Sequence, residues 1–275
     1  MTQWFRIDEL CGCRIEGLDA VGFCQSQLTA DIDLLTDERW QQMAWCNRKG
    51  RVRALILAKK NQQDVELILP ASQAGMLKEL GRFTIGRKVN IGSTERVAGS
   101  TARDQHGVID SDRFERAVRL QTKDQGEAVE PDRDWLNRWA VQDLLMPLPW
   151  LSESTQDRFL PQALGLENNG GLSYAKGCYP GQEVVARVHY LGRPPERLTG
   201  LTIKSSEPLS GSALRGAEAQ TSGGQRVSLL SAAKHRDCWL ALAVVPDKTS
   251  DGDTVELTLD GIRLQAKMTP LESLC

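Results

Sequence analysis

After Gly192-Arg-Pro-Pro195 the chain carries strand signals and nothing else. Short apolar, β-branched runs occupy residues 198–203, 225–230, 238–245, 254–259 and 262–268, parted by turn pairs such as Gly223-Gly224 and Asp260-Gly261. An Asp-Gly pair between alternating runs is the strongest short-range hairpin cue, because the tight turn needs positive φ at its central residues. Evenly spaced strands with no helix to cover them must hide their edges, and closing the sheet on itself does so. Residues 196–275 are therefore expected to form a small antiparallel β-barrel domain.

The first 195 residues read differently. Asp19 stands where a helix cap belongs, ahead of a segment 20–28 with Ala20, Phe23, Cys24 and Leu28 at helical spacing. Strand-like runs follow at 40–46, 51–58 and 65–69, separated by turn-prone stretches at 47–50 and 61–64. A helix is expected from Ser72 to Leu80 with Gly81 as its stop, then weak strands over 88–121 broken by Gly92, Gly99 and Gly107. The clearest helix spans 132–145. Acidic residues at 130, 132 and 134 suit the positive end of its dipole, and Pro147 ends it by forbidding continuation. Residues 147–175 read as loop. At about 100–200 residues per domain, the 275 residues suggest two, perhaps three, folding units.

Composition narrows the function classes. Lys+Arg 34 against Asp+Glu 36 leaves a net charge of −2, so no global excess of positive charge advertises nucleic acid. The longest apolar run, from Trp239 to Val245, stops at Pro246, far short of the roughly 20 residues a membrane helix needs. Arg6 and Asp8 close behind Trp4-Phe5 leave no apolar leader, and a cytoplasmic location is expected. The seven cysteines are irregularly spaced, Cys11-Gly-Cys13 is not a C-x-x-C pair, and the three histidines are scattered, so no structural metal site is expected. A cysteine that matters here acts alone.

One segment stands apart: Lys176-Gly-Cys-Tyr-Pro-Gly-Gln-Glu-Val-Val-Ala-Arg187. Tyr179-Pro-Gly-Gln182 suits a type II turn, with proline setting φ at the second position and glycine accepting positive φ at the third. Cys178 then sits on the shoulder of the turn among small neighbours, and Lys176 and Arg187 would favour its thiolate. From Glu183 onward the run reads as a strand leaving the turn. The same residues also suit an inert cysteine beside a plain turn, with solvated cations.

The segment closely resembles the K-G-C-[FY]-x-G-Q-E-x-x-x-R signature of the YgfZ family. Gly17-Leu-Asp-Ala20 followed by Gln25-Ser-Gln-Leu-Thr-Ala-Asp31 is similar to that family's G-x-D-A and Q-G-Q-[LV]-T-x-D motifs. Trp45-Cys-Asn-Arg-Lys-Gly-Arg51 is similar to its H-C-[DN]-x-K-G-[RK]. Ser26 stands for a glycine, and Trp45 for a histidine. The resemblance implies an α+β, aminomethyltransferase-like fold of three subdomains around a cavity. Two of them would interleave in residues 1–195, and the C-terminal barrel at 196–275 would close one side. It implies a folate-binding accessory protein, taking tetrahydrofolate or a derivative, that supports assembly or repair of iron–sulfur enzymes and thereby tRNA modification.

The implied working residue is Cys178, within a motif of Lys176, Gly177, Tyr179, Gly181, Gln182, Glu183 and Arg187. Family members carry a tryptophan lining the folate cavity at the position of Trp135, while Trp139, one turn on, is left to the core. Leu10 stands where some members place a second aromatic. Gln27, Thr29, Asp31, Asn47, Lys49 and Gly50 are candidate lining residues, and ordinary helix-end and turn chemistry accounts for them equally. Asp104 and Asp110 match no catalytic aspartate of the family's transferase relatives.

Between 176 and 204 five basic residues (Lys176, Arg187, Arg193, Arg197, Lys204) face two acids (Glu183, Glu196), so 5 − 2 = +3 locally. Such a patch would meet tRNA phosphates, an acidic partner or a folate tail. Two alternatives stay open: a folate-dependent one-carbon (aminomethyl) transferase, and a protein that binds tRNA directly.

Overall fold

A computed structural model of the chain describes residues 3–101, 108–110, 115–121, 127–205, 208–259 and 262–274. The N-terminal body contains, in order, β1 (Phe5–Glu16), α1 (Ala20–Gln27), β2 (Gln41–Cys46), β3 (Val52–Asn61), β4 (Asp64–Pro70), α2 (Gly75–Leu80), β5 (Asn90–Ile91), β6 (Glu95–Ser100), β7 (Val108–Asp110), β8 (Glu115–Leu120), α3 (Arg133–Leu145) and α4 (Gln182–Leu191). Its strands form one eight-stranded sheet of order β2-β3-β4-β1-β6-β8-β7, with β5 paired to β1. The C-terminal strands β9 (Glu196–Lys204), β10 (Glu218–Thr221), β11 (Arg226–His235), β12 (Cys238–Pro246), β13 (Thr254–Leu259) and β14 (Ile262–Thr269), with a one-turn helix α5 (Gly211–Leu214), close into a six-stranded barrel of order β10-β11-β12-β9-β14-β13.

Side-chain alternation along the strands divides the interior into three cores. On β3, Ala54, Ile56 and Ala58 face α1 and α2, while Val52, Leu55 and Leu57 face α3 and the segment after it. On β12, Ala241, Ala243 and Val245 fill the barrel, whereas Leu240, Leu242 and Val244 join the core shared with the N-terminal body. This double burial explains why the run from Trp239 to Val245 is continuously apolar. Asn137 on α3 fastens the two parts by exchanging hydrogen bonds with the backbone of Lys234 (2.7 and 3.2 Å). No helix among the described residues is long and apolar enough to cross a membrane.

Several local expectations change. Asp19 precedes α1 without capping it; its carboxylate instead accepts the Lys88 N–H at 2.7 Å. Gly81 does not stop the second helix: its backbone stays helical (φ −57°), and the chain continues as a 3-10 turn to Thr84. Gly99 lies inside β6, where an added Cβ would press on Ile7 and Trp139 at 2.6 Å. Strand β10 carries no apolar run in the sequence, yet it closes the barrel by pairing β11 and β13. Residues 183–188 are helix, as part of α4, and not strand. The Asp260-Gly261 turn lies outside the described residues, as do His106, Gly107, Asp104 and Cys275; Leu259 and Ile262 on either side of the turn are paired. Nothing is described of the Asp110 side chain.

Candidate functional site

The signature segment is held by two separate parts of the N-terminal body. At its start, the Lys176 ammonium is 9 % exposed and donates to the carbonyls of Leu28 (2.6 Å) and Ala30 (2.7 Å), at the end of the Gln25–Asp31 motif. Burial lowers its pKa to about 8, against the opposing pull of Asp31. The ammonium is thus committed to backbone carbonyls and does not serve the sulfur as the sequence suggested.

The turn itself forms as expected. Gly181 has φ 78° and ψ 4°, and the Gln182 N–H donates to Tyr179 O at 3.2 Å. It rests against a second glycine turn. There the Asn47 side-chain oxygen accepts the N–H groups of Lys49 (2.8 Å) and Arg51 (3.1 Å), and Gly50 takes φ +72°. A Cβ at Gly181 would collide with Asn47 O and Gly50 N. One at Gly50 would lie 3.0 Å from Gly181 O and 3.1 Å from Val185. The two motifs therefore interlock through paired glycines, because only glycine combines left-handed φ with so close a backbone approach.

Beyond Gly181 the chain turns into α4. Val185 is buried against Gly50, and the side-chain amide of Gln162 donates to Val185 O at 2.8 Å. Val185 is the one fully buried residue of the helix, so the β-branched run is fastened at a single point with no sheet edge to join.

Between buried Lys176 and buried Tyr179, Gly177 and Cys178 are exposed. Among the described cysteines, Cys178 alone is exposed; Cys11, Cys13, Cys24 and Cys46 are buried and Cys238 is partly covered. Burial pushes the thiols of Cys11, Cys24 and Cys46 up and that of Cys13 to about 12, which keeps them protonated and unreactive. Arg187 projects from the exposed side of α4.

Beside the interlocked turns lies a cavity of about 360 Å³ lined by Trp45, Cys46, Asn47, Arg48, Arg53, Phe83, Asp157 and Pro180, the last two residues from Cys178. Phe83 meets Trp45 edge-on at 6.5 Å, and the Arg53 guanidinium lies 4.9 Å from the Trp45 ring centre. Arg53 also pairs with Glu79 (2.8 Å) and approaches Asp157 (3.7 Å). Asn47 donates to the other Asp157 oxygen at 2.6 Å. Asp157 holds φ +57°, a backbone state uncommon outside glycine and often found at functional sites. A larger cleft of about 840 Å³ on the barrel, lined by Lys204, Asp251, Lys267 and their neighbours, contains none of the other candidate residues.

The structure sorts the candidates accordingly. Asn47 and Gly50 meet Gly181 at the interlock, and Lys49 is exposed on the same turn. Gln27 and Asp31 lie toward the Lys176 clasp. Thr29 is fully buried, donating to Gly171 O (2.7 Å) and accepting from Ala44 N–H (2.9 Å), so it bridges backbone segments. Trp135 is buried, stacks on Phe5 (4.7 Å) and Trp139 (5.3 Å), and is not among the residues lining the 360 Å³ cavity. Its neighbour Trp139 continues the stack onto the buried Arg116 guanidinium at 3.9 Å. The basic run at 176–204 also divides, since Lys176 is spent on carbonyls and Arg197 on Asp251 (2.9 Å).

Sequence reasoning missed Trp45, Phe83, Arg53 and Asp157 as a group. Only the exchange of histidine for tryptophan at position 45 was a signal, because the four come together through tertiary contacts.

No protein-family model matches the chain. It is 26 % identical to the tRNA-modifying protein YgfZ of Edwardsiella ictaluri, over 97 % of this chain and 91 % of that protein. It is 29 % identical to the protein of the same name from Vibrio atlanticus, over 70 % and 68 %. In fold it matches the glycine cleavage system aminomethyltransferase T of Bartonella henselae with a TM-score of 0.73 at 15 % identity, covering 98 % of this chain and 86 % of that one. The chain thus resembles the YgfZ family in sequence along nearly its whole length, and it has the fold of aminomethyltransferase T.

Proposed function

We propose that the chain acts in tRNA modification, as a folate-binding accessory protein whose working group is the Cys178 thiol. The observation that carries this reading is an exposed sulfur clamped on two interlocked glycine turns beside a cavity of ligand size. A rigid shoulder holds the thiol at a fixed place, which suits a group that passes between partners: a ligand to iron, or one half of a mixed disulfide with an iron–sulfur client.

The cavity also suits folate chemically. Trp45 and Phe83 offer apolar walls for a flat pterin, and the Asp157 carboxylate, oriented by Asn47, is an acceptor for the pterin's amino and ring N–H donors. Arg48 and Lys49, both exposed on the adjoining turn, suit the carboxylates of the glutamate tail. Trp45 takes the platform role that the resemblance gave to Trp135. A bound folate supplies a one-carbon carrier or a redox-active ring; the protein's part is to hold it next to Cys178.

Two measurements test the reading. Titration with tetrahydrofolate is expected to quench tryptophan fluorescence, with binding lost in Trp45→Leu and kept in Trp135→Phe; the reverse pattern refutes the site. In cells lacking the gene, Cys178→Ala is expected to leave tRNA modification unrestored, and full restoration refutes the thiol's role. The transferase reading keeps one specific support, since one-carbon transfer needs a carboxylate near the reacting nitrogen and Asp157 lines the cavity. Methylene-folate formation from tetrahydrofolate and an aminomethyl donor would identify it.

A further inference from the structure

The chain has three tyrosines, Tyr174, Tyr179 and Tyr190, and all fall within residues 174–190. Tyr179 is buried under the signature turn, but Tyr190 is 69 % exposed, more than any other aromatic residue described. It is nevertheless fixed in place. His189 meets it edge-on at 4.8 Å and Tyr174 at 6.2 Å, and Tyr174 and His189 stack on each other at 3.9 Å. Glu167 holds both of the latter, accepting the Tyr174 hydroxyl at 2.5 Å and contacting His189 Nδ1 at 2.8 Å. Gln162 fastens Tyr174 from below at 3.2 Å.

Charges of both signs lie near this ledge: the Glu167 carboxylate braces it from within, Glu183 is exposed one turn before Arg187, and two arginines flank Tyr190 in sequence. Arg187, one turn earlier on α4, and Arg193, just past its end, are exposed and have no ion-pair partner among the described residues. Leu191, 79 % exposed, adds an apolar edge.

We infer that this ledge binds single-stranded RNA, with an unpaired base stacked on Tyr190 and the flanking phosphates met by Arg187 and Arg193. Every base has a π-face, so a pre-positioned aromatic ring between free guanidinium groups is the common device for unpaired nucleotides. A protein docking surface would need broad apolar area, whereas here the rings are few, braced and bordered by charge. The inference rests on the tRNA-modification reading and supplies its RNA contact. It does not involve Cys178 or the cavity.

The test is fluorescence anisotropy with the full-length protein, using an unmodified tRNA transcript, octaadenylate and a blunt RNA duplex as probes at about 50 mM salt. The transcript and octaadenylate are expected to bind more tightly than the duplex. Tyr190→Ala is expected to weaken both roughly tenfold or more, while Tyr190→Phe retains binding. Arg187→Glu with Arg193→Glu is expected to flatten the dependence of log K on log salt by about 0.7 for each phosphate that is no longer neutralised. Equal binding by Tyr190→Ala and the unaltered protein, preference for the duplex, or no binding of any probe would each overturn the inference. None of these results would touch the Cys178 reading, which is scored separately by tRNA modification in cells.

Discussion

Gly50 and Gly181 show how two single residues decide the site. Each lies in left-handed backbone, and each occupies space that any side chain would fill at the other's expense. Replacing Gly181 by alanine adds the left-handed penalty to a backbone collision, and is expected to lower stability by at least about 2 kcal/mol in chemical denaturation. Gly177→Ala is the matched control, four residues earlier in the same motif. A Cβ there meets nothing within 4 Å, so a change of no more than about 0.5 kcal/mol is expected. Similar losses for both variants would refute the interlock. The type II turn was legible at this scale because proline and glycine prescribe φ locally. The role of Lys176 was not, since the carbonyls that capture it belong to Leu28 and Ala30, remote in sequence.

Among the elements, β8 and α3 are joined by a buried ion pair. Arg116 on β8 is 1 % exposed and hydrogen-bonds Asp143 on α3 and Trp139 O (3.0 Å), while Trp150 Nε1 donates to the second Asp143 oxygen at 3.3 Å. Removing one partner strands a charge in the core, and Asp143→Ala is expected to cost about 3–5 kcal/mol. The double variant Arg116→Met with Asp143→Leu is expected to recover most of that loss in the same denaturation assay, since no charge is then left unpaired. No recovery would mean that the pair serves packing alone. Helix α3 was readable from its caps, and Asp132 does accept the Trp135 N–H at 2.6 Å. Helix α4 was not, because its valines carry strand propensity and the contacts that fasten it, Val185 on Gly50 and the Gln162 amide on Val185 O, come from segments remote in sequence.

At the scale of the molecule, the barrel and the N-terminal body share one core. Leu198, Leu230, Leu240, Leu242 and Val244 leave the barrel interior and pack with Leu144, Trp150 and their neighbours. Exposing each of these side chains costs about 1.5–3 kcal/mol, so the barrel is expected not to unfold alone. Tryptophan fluorescence reports mainly the N-terminal body, which holds all the tryptophans except Trp239. Hydrogen exchange at β9–β14 reports the barrel. The two should give one denaturant midpoint, and a separate barrel transition would count against a shared core.

The sequence by itself determined the elements whose signals are local: the all-strand tail, the Pro-terminated helix α3 and the proline–glycine turn that carries Cys178. Tertiary structure alone decided which residues meet around that turn. It buried Trp135 between other rings, drew Lys176 away from the sulfur, brought Trp45, Phe83, Arg53 and Asp157 into one cavity and braced Tyr190 on the surface. Torsional preferences are written residue by residue, whereas a cavity or a ledge exists only once chain segments far apart in sequence have packed together.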